Sequence, residues 1–226
     1  MGRVERPGSF GAEAMGDWED WVLEHGVPQD VPETLAVDEI VPVACWRDET
    51  WAAVLHLMYR EAEADPEQPA FDWEAGIDDE TQTFRRAGDR REAAGGSGGG
   101  SWFDGLRLRA PGIGDDEAIV LGRGAHGEAG WLCGTARGVA GRSARTVEVE
   151  QAGRVVARPI DSPVGAWVTA FDGTQPAVVR VRNAEGVLVE QAIEPVRFRR
   201  FAPEVHGPVA PTHGAIEAWS WPPRRP

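Results

Sequence analysis

The sequence predicts an α+β chain in two parts: a small, acidic, mostly helical N-terminal region followed by an antiparallel β-sandwich. Three observations carry this. Residues 1–94 hold 23 acidic and 8 arginine side chains, a balance of −15, whereas residues 102–226 hold 14 and 15, a balance of +1. Between them lies Gly95-Gly96-Ser97-Gly98-Gly99-Gly100-Ser101, a run with almost no side chain to bury, expected as a flexible linker. Beyond it, short runs rich in Val, Thr, Trp and Phe recur: WLCGTA, RTVEVEQ, RVVARPI, AWVTAFD, AVVRVR and VLVEQAI. Gly153, Asp172-Gly173 and Glu185-Gly186 stand between runs, where short hairpin reversals would fall. Val147 and Val149 would share a dry face, with Thr146, Glu148 and Glu150 on a wet one. The expected divisions are residues 1–94, the linker 95–101, the sandwich 102–201 and a Pro-rich tail 202–226.

In chain order, Met15, Trp18, Trp21 and Val22 recur at helical spacing, so residues 12–25 are expected as an amphipathic helix ended by Gly26 and Pro28. Asp30 to Glu33 suits a short capped turn, and IVPVACW at 40–46, interrupted by Pro42, suits an edge strand. A second helix is expected from a cap at Asp48 to the stop at Asp65-Pro66, with Trp51, Val54, Leu55 and Met58 as its apolar stripe and His56 turned to solvent. Residues 66–80 form an acidic, turn-rich stretch without calcium-loop spacing, and a polar helix is expected over 79–93. FDGLRLRA and EAIVL begin the sandwich, and VRFRRF at 196–201 adds a last strand.

All 23 basic residues are arginine, which points to a high-GC bacterial genome. An acidic N-terminal half disfavours nucleic acid and anionic membrane and favours a basic protein surface as its partner. Cys45 and Cys133 share no metal or redox spacing and read as buried free thiols. MGRVERPGSFGAEAMGDWEDW has no signal-peptide core, so cytoplasmic residence is expected.

Among motifs, Gly122-Arg123-Gly124-Ala125-His126-Gly127 matches the spacing of a dinucleotide loop. A helix should follow such a loop, yet Gly130, Gly134, Gly138 and Gly141 come next, so a Gly-rich loop between strands is the preferred reading. Trp131, Trp167 and His126 are the ligand-binding candidates, the tryptophans as part of a stacking platform for carbohydrate together with Trp102, Trp219 or Trp221. Arg180, Arg182, Arg197 and Arg199 alternate with apolar residues and are the interaction candidates, placed to attract the acidic segment 72–80. No residue set is assigned to catalysis, to a metal or to a cofactor.

The runs WLCGTARG, RTVEVEQAGRVVARPI, GAWVTAFDG and PAVVRVRNAEGVLVEQ, with Val179, Val181, Gly186 and Val189 as a closing hairpin, resemble the immunoglobulin-like sandwich module of uncharacterised actinobacterial proteins. The resemblance implies a fold and no activity. It lacks the antibody-type cysteine pair. The function expected is a non-enzymatic binding or scaffold role through protein contacts. A carbohydrate-type module using tryptophan, or a nucleotide site at 122–127, is the alternative.

Overall fold

The computed structural model describes residues 5–62, 75–87, 90–101, 108, 112–128 and 131–196. Antiparallel sheets make up most of the described chain, with one short α-helix near its start. The helix α1 (Met15–His25) follows a single 3-10 turn and ends at Gly26, whose φ of 90° needs no Cβ and whose N–H reaches Val22 O at 2.8 Å.

Three sheets follow. The first holds β1 (Ile40–Arg47), β2 (Trp51–Arg60), β3 (Gly76–Ala87) and β4 (Arg90–Ser101) in chain order. The second holds β5 (Ala118–Glu128), β6 (Trp131–Ala140) and β9 (Ala166–Asp172), in the order β5-β6-β9. The third, ordered β11-β10-β7-β8, holds β7 (Thr146–Gln151), β8 (Arg154–Pro159), β10 (Ala177–Arg182) and β11 (Val187–Ile193). After β6 the chain therefore passes to the third sheet, returns for β9 and leaves again. The three-stranded sheet touches both larger ones, and β6 and β9 are buried along nearly their whole length.

The N-terminal region is not mostly helical. Residues 51–60, expected as a helix, form β2, and of the second expected helix residues 79–87 lie in β3 and residues 90–93 in β4. Trp51 to Tyr59 is almost continuously apolar because both faces of β2 are covered, a pattern that also satisfies helical spacing. One face, Ala52 and Val54, packs with Trp18, Val22 and Leu23 of α1. The other, Ala53, Leu55 and Leu57, joins the main core with Cys133, Val168 and Phe171. Asp48 does cap, but it caps a hairpin: its Oδ1 accepts the N–H groups of Thr50 and Trp51, both at 2.7 Å. His56 faces α1 and is fully buried rather than in solvent.

The expected linker is also corrected. Gly95 to Gly98 pair with β3 from Thr83 to Glu80, so the run 95–101 is part of a strand. Its glycines permit close approach: Gly95 has φ of 118°, and a Cβ there would lie 3.4 Å from that of His126 on β5. The two expected domains thus share one apolar core.

Two of the three expected hairpins form, both in the third sheet, whereas the reversal expected at Asp172-Gly173 leads from β9 in the second sheet to β10 in the third. Ala152 (φ 51°) and Gly153 (φ 77°) turn β7 into β8, and Asn183 Oδ1 accepts from Glu185 and Gly186 between β10 and β11. The segment 66–74, the run 103–107, residues 197–201 of the expected last strand and the tail 202–226 lie outside the described residues.

Candidate functional site

Three segments far apart in sequence meet at one end of the sheets: the approach to β5, the β6–β7 turn and the β8–β9 loop. They enclose an open cleft of about 480 Å³. Backbone hydrogen bonds tie its walls together. Gly141 N–H reaches Glu117 O at 2.8 Å, Ser143 N–H reaches Asp115 O at 3.0 Å, and Ala140 N–H reaches Gly165 O at 2.8 Å. Arg145 N–H binds Arg182 O at 2.7 Å and its carbonyl accepts from Ile160 at 2.9 Å. Ser162 Oγ accepts from the N–H groups of Val164 and Ala166.

Two glycines make this closeness sterically feasible. A Cβ on Gly141 would collide with the carbonyl oxygens of Gly114 and Asp115, and one on Gly165, at φ of 76°, with that of Ala140. The cleft is consequently a preformed feature of the backbone. Ile113, Ala144, Ile160 and Val164 give it apolar lining, while the exposed side chains of Arg142, Arg145 and Asp115 supply charge. Nothing in the sequence joins 113, 142 and 164, so residue patterns pointed elsewhere. The signal present was Arg142 and Arg145 in a tight reversal within a chain where acids outnumber arginines.

The anticipated ligand residues do not converge. Trp167 is core, 1% exposed, and lies across Gly138 of β6. Trp131 is half-buried, 5.9 Å from Trp51 at 36° between planes, with the Arg85 guanidinium 5.2 Å from its ring centre. That tilted, covered pair is no flat platform, and Trp102, Trp219 and Trp221 lie outside the described residues. His126 stands near the end of β5, its Nε2 buried without a hydrogen-bond partner among the described residues and its pKa lowered by burial. Nine residues of strand, about 30 Å at ~3.3 Å each, separate it from Glu117. Gly122 to Gly127 belong to the same strand, paired with β6, and another strand follows where a dinucleotide site needs a helix.

Arg180 and Arg182 are spent within their own sheet. Arg180 binds Glu150 at 2.6 Å and Glu190 at 2.5 Å, and Arg182 binds Glu148 at 2.7 Å. Of the acidic segment expected to meet them, Asp78 pairs with Arg60 and Asp79 with Arg137, while residues 72–74, Arg197 and Arg199 lie outside the described residues. Cys45 and Cys133 are free thiols in apolar surroundings, and burial pushes both up to about 12.

A second polar cluster lies beneath α1. Burial, reinforced by the Glu80 carboxylate and opposed by Arg91, raises Glu19 to about 7. His56 sits opposite Glu80 in the β2–β3 register, neither ring nitrogen having a partner among the described residues, and burial lowers it to about 4. Among the described residues no group of three His, Cys, Asp or Glu side chains is placed to hold a metal, and no helix is long and apolar enough to cross a membrane.

No family model matches the chain, and neither a curated protein nor a solved structure matches it.

Proposed function

We propose that this chain is a binding protein that acts through contacts, holding a ligand or a partner's side chain in the cleft between residues 113–117, 141–145 and 160–165. The observation that carries this reading is the backbone lattice of the cleft. Loops held rigidly on a sheet framework are where recognition is built, because little ordering cost remains at binding. A volume of about 480 Å³ lies in the range of small-ligand pockets, roughly 300–1,000 Å³. The scaffold role, cytoplasmic residence and the likeness to an immunoglobulin-like module belong to the same proposal. The acidic excess of residues 1–94 suits a basic protein surface as a second contact.

The test is amide-resolved NMR of the whole chain against a library of small fragments. Saturable shifts concentrated on the three cleft segments are expected. Shifts confined to other surfaces, or none at millimolar fragment, would contradict the reading.

A further inference from the structure

Resting on that reading, we infer that the cleft takes a small organic monocarboxylate with an apolar body, its carboxylate held by Arg142 and Arg145. The first argument is charge. In a chain with 37 carboxylates for 23 arginines, an exposed guanidinium has ample acidic side chains to pair with. Arg6, Arg91, Arg154 and Arg182 do so while exposed, and the more covered Arg60, Arg137 and Arg180 do so as well. Arg142 and Arg145 pair with no carboxylate among the described residues, although Asp115 lines the same cleft. Among the described residues their only side-chain hydrogen bond is a long one, Arg145 Nη1 to the Arg142 carbonyl at 3.4 Å.

The second argument is placement. The backbones of both arginines are fixed, Arg145 between Arg182 and Ile160 and Arg142 in the turn closed by Gly141 and Ala144, and both line one cleft together with Ile113, Ile160 and Val164. Guanidinium groups recognise carboxylates by paired N–H donors, and an anion beside apolar surface demands an amphipathic ligand.

The third argument is the balance of charge. Two arginines against Asp115 leave the lining at one positive charge, which one monoanion neutralises and a phosphate dianion overshoots by one charge. A volume of about 480 Å³ admits a compact organic acid and is too small for a folded partner.

The experiment titrates the intact chain with octanoate and phenylacetate, with their uncharged amides, and with inorganic phosphate, following cleft amide resonances and heat. Saturable carboxylate binding is expected, at least tenfold weaker for the amides. It should also weaken at least tenfold in Arg142→Gln/Arg145→Gln, whose exposed positions leave folding unaffected. Asp115→Asn should tighten carboxylate binding and raise the response to phosphate. Amides binding as well as the acids, or an unaltered double variant, would overturn the carboxylate assignment while leaving the cleft as a binding site. Phosphate binding tighter than either acid would overturn the monoanion assignment alone. If none of these compounds moved a cleft resonance at millimolar concentration, the carboxylate inference would fall, and the binding reading would fall with it only if the fragment library moved none either.

Discussion

Arg137 Nε donates to Asp79 Oδ2 in an ion pair buried between two sheets, with only 8% of one side chain and 4% of the other exposed. Asp79 comes from the stretch expected as a helical domain and Arg137 from the expected sandwich, so this contact joins the two across a common core.

Removing one partner strands the other charge in an apolar layer. Arg137→Met or Asp79→Leu alone should cost about 3–5 kcal/mol in denaturant unfolding. The combined Asp79→Leu/Arg137→Met variant should recover most of that loss, because neither charge is then buried. A double variant no better than the worse single one would contradict the pairing.

The face of β6 that meets β9 is built on small residues. Trp167 and Phe171 lie directly opposite Gly138 and Gly134, and a Cβ at either glycine would collide with the ring. Gly134→Val should therefore destabilise by about 1–3 kcal/mol or more through overpacking. Adding Phe171→Ala should restore part of it, a recovery that a purely backbone effect could not give.

Ala152 pays for a left-handed conformation, φ 51°, at the β7–β8 turn. Asn at this position makes the Asn-Gly pair that such turns favour, so Ala152→Asn should raise stability by about 0.5–1 kcal/mol, read as a higher unfolding midpoint. Lower stability would mean that the turn relaxes out of this geometry in solution.

Two buried groups beneath α1 give opposite pH slopes. His56 has a folded pKa of about 4, below its ordinary value of 6.5, so between 4 and 6.5 only the unfolded chain takes the proton. Its contribution is present above 6.5 and is lost as pH falls, by about 3 kcal/mol in all. Glu19 is raised to about 7 from 4.5, so the folded chain holds a proton that the unfolded chain releases. Its contribution is present below 4.5 and is lost as pH rises to about 7. The two oppose each other from 4.5 to 6.5. Relative to the parent, Glu19→Gln should gain stability with rising pH across 4.5–7, and His56→Leu should lose relative advantage with rising pH across 4–6.5. Urea unfolding at half-unit pH steps measures both, and parallel curves for parent and variants would contradict the assignments.

How much was legible in the sequence follows from which side chains face water. Thr146 to Glu150 alternate because one face of β7 is wet, and the turn residues Gly153 and Asn183-Ala184-Glu185-Gly186 mark strand ends by their own conformational demands. Trp51 to Tyr59 conceals its period because β2 is covered on both sides. Gly95 to Ser101 shows no strand pattern because β4 takes its register from β3 and its closeness to β5 from missing side chains. The cleft was illegible for a topological reason: the chain leaves the β5-β6-β9 sheet after β6 and returns at β9, bringing residue 142 beside 115 and 164.

The common core is tested most directly at the glycine run itself, by hydrogen exchange of the backbone amides from Gly95 to Ser101 at neutral pH. Strand pairing with β3 predicts that amides bonded to β3 exchange orders of magnitude more slowly than an unstructured chain, in step with the amides of β2. Exchange of the whole run at the unprotected rate, with β2 still protected, would make residues 95–101 a free connector and contradict the single body in which the cleft is built.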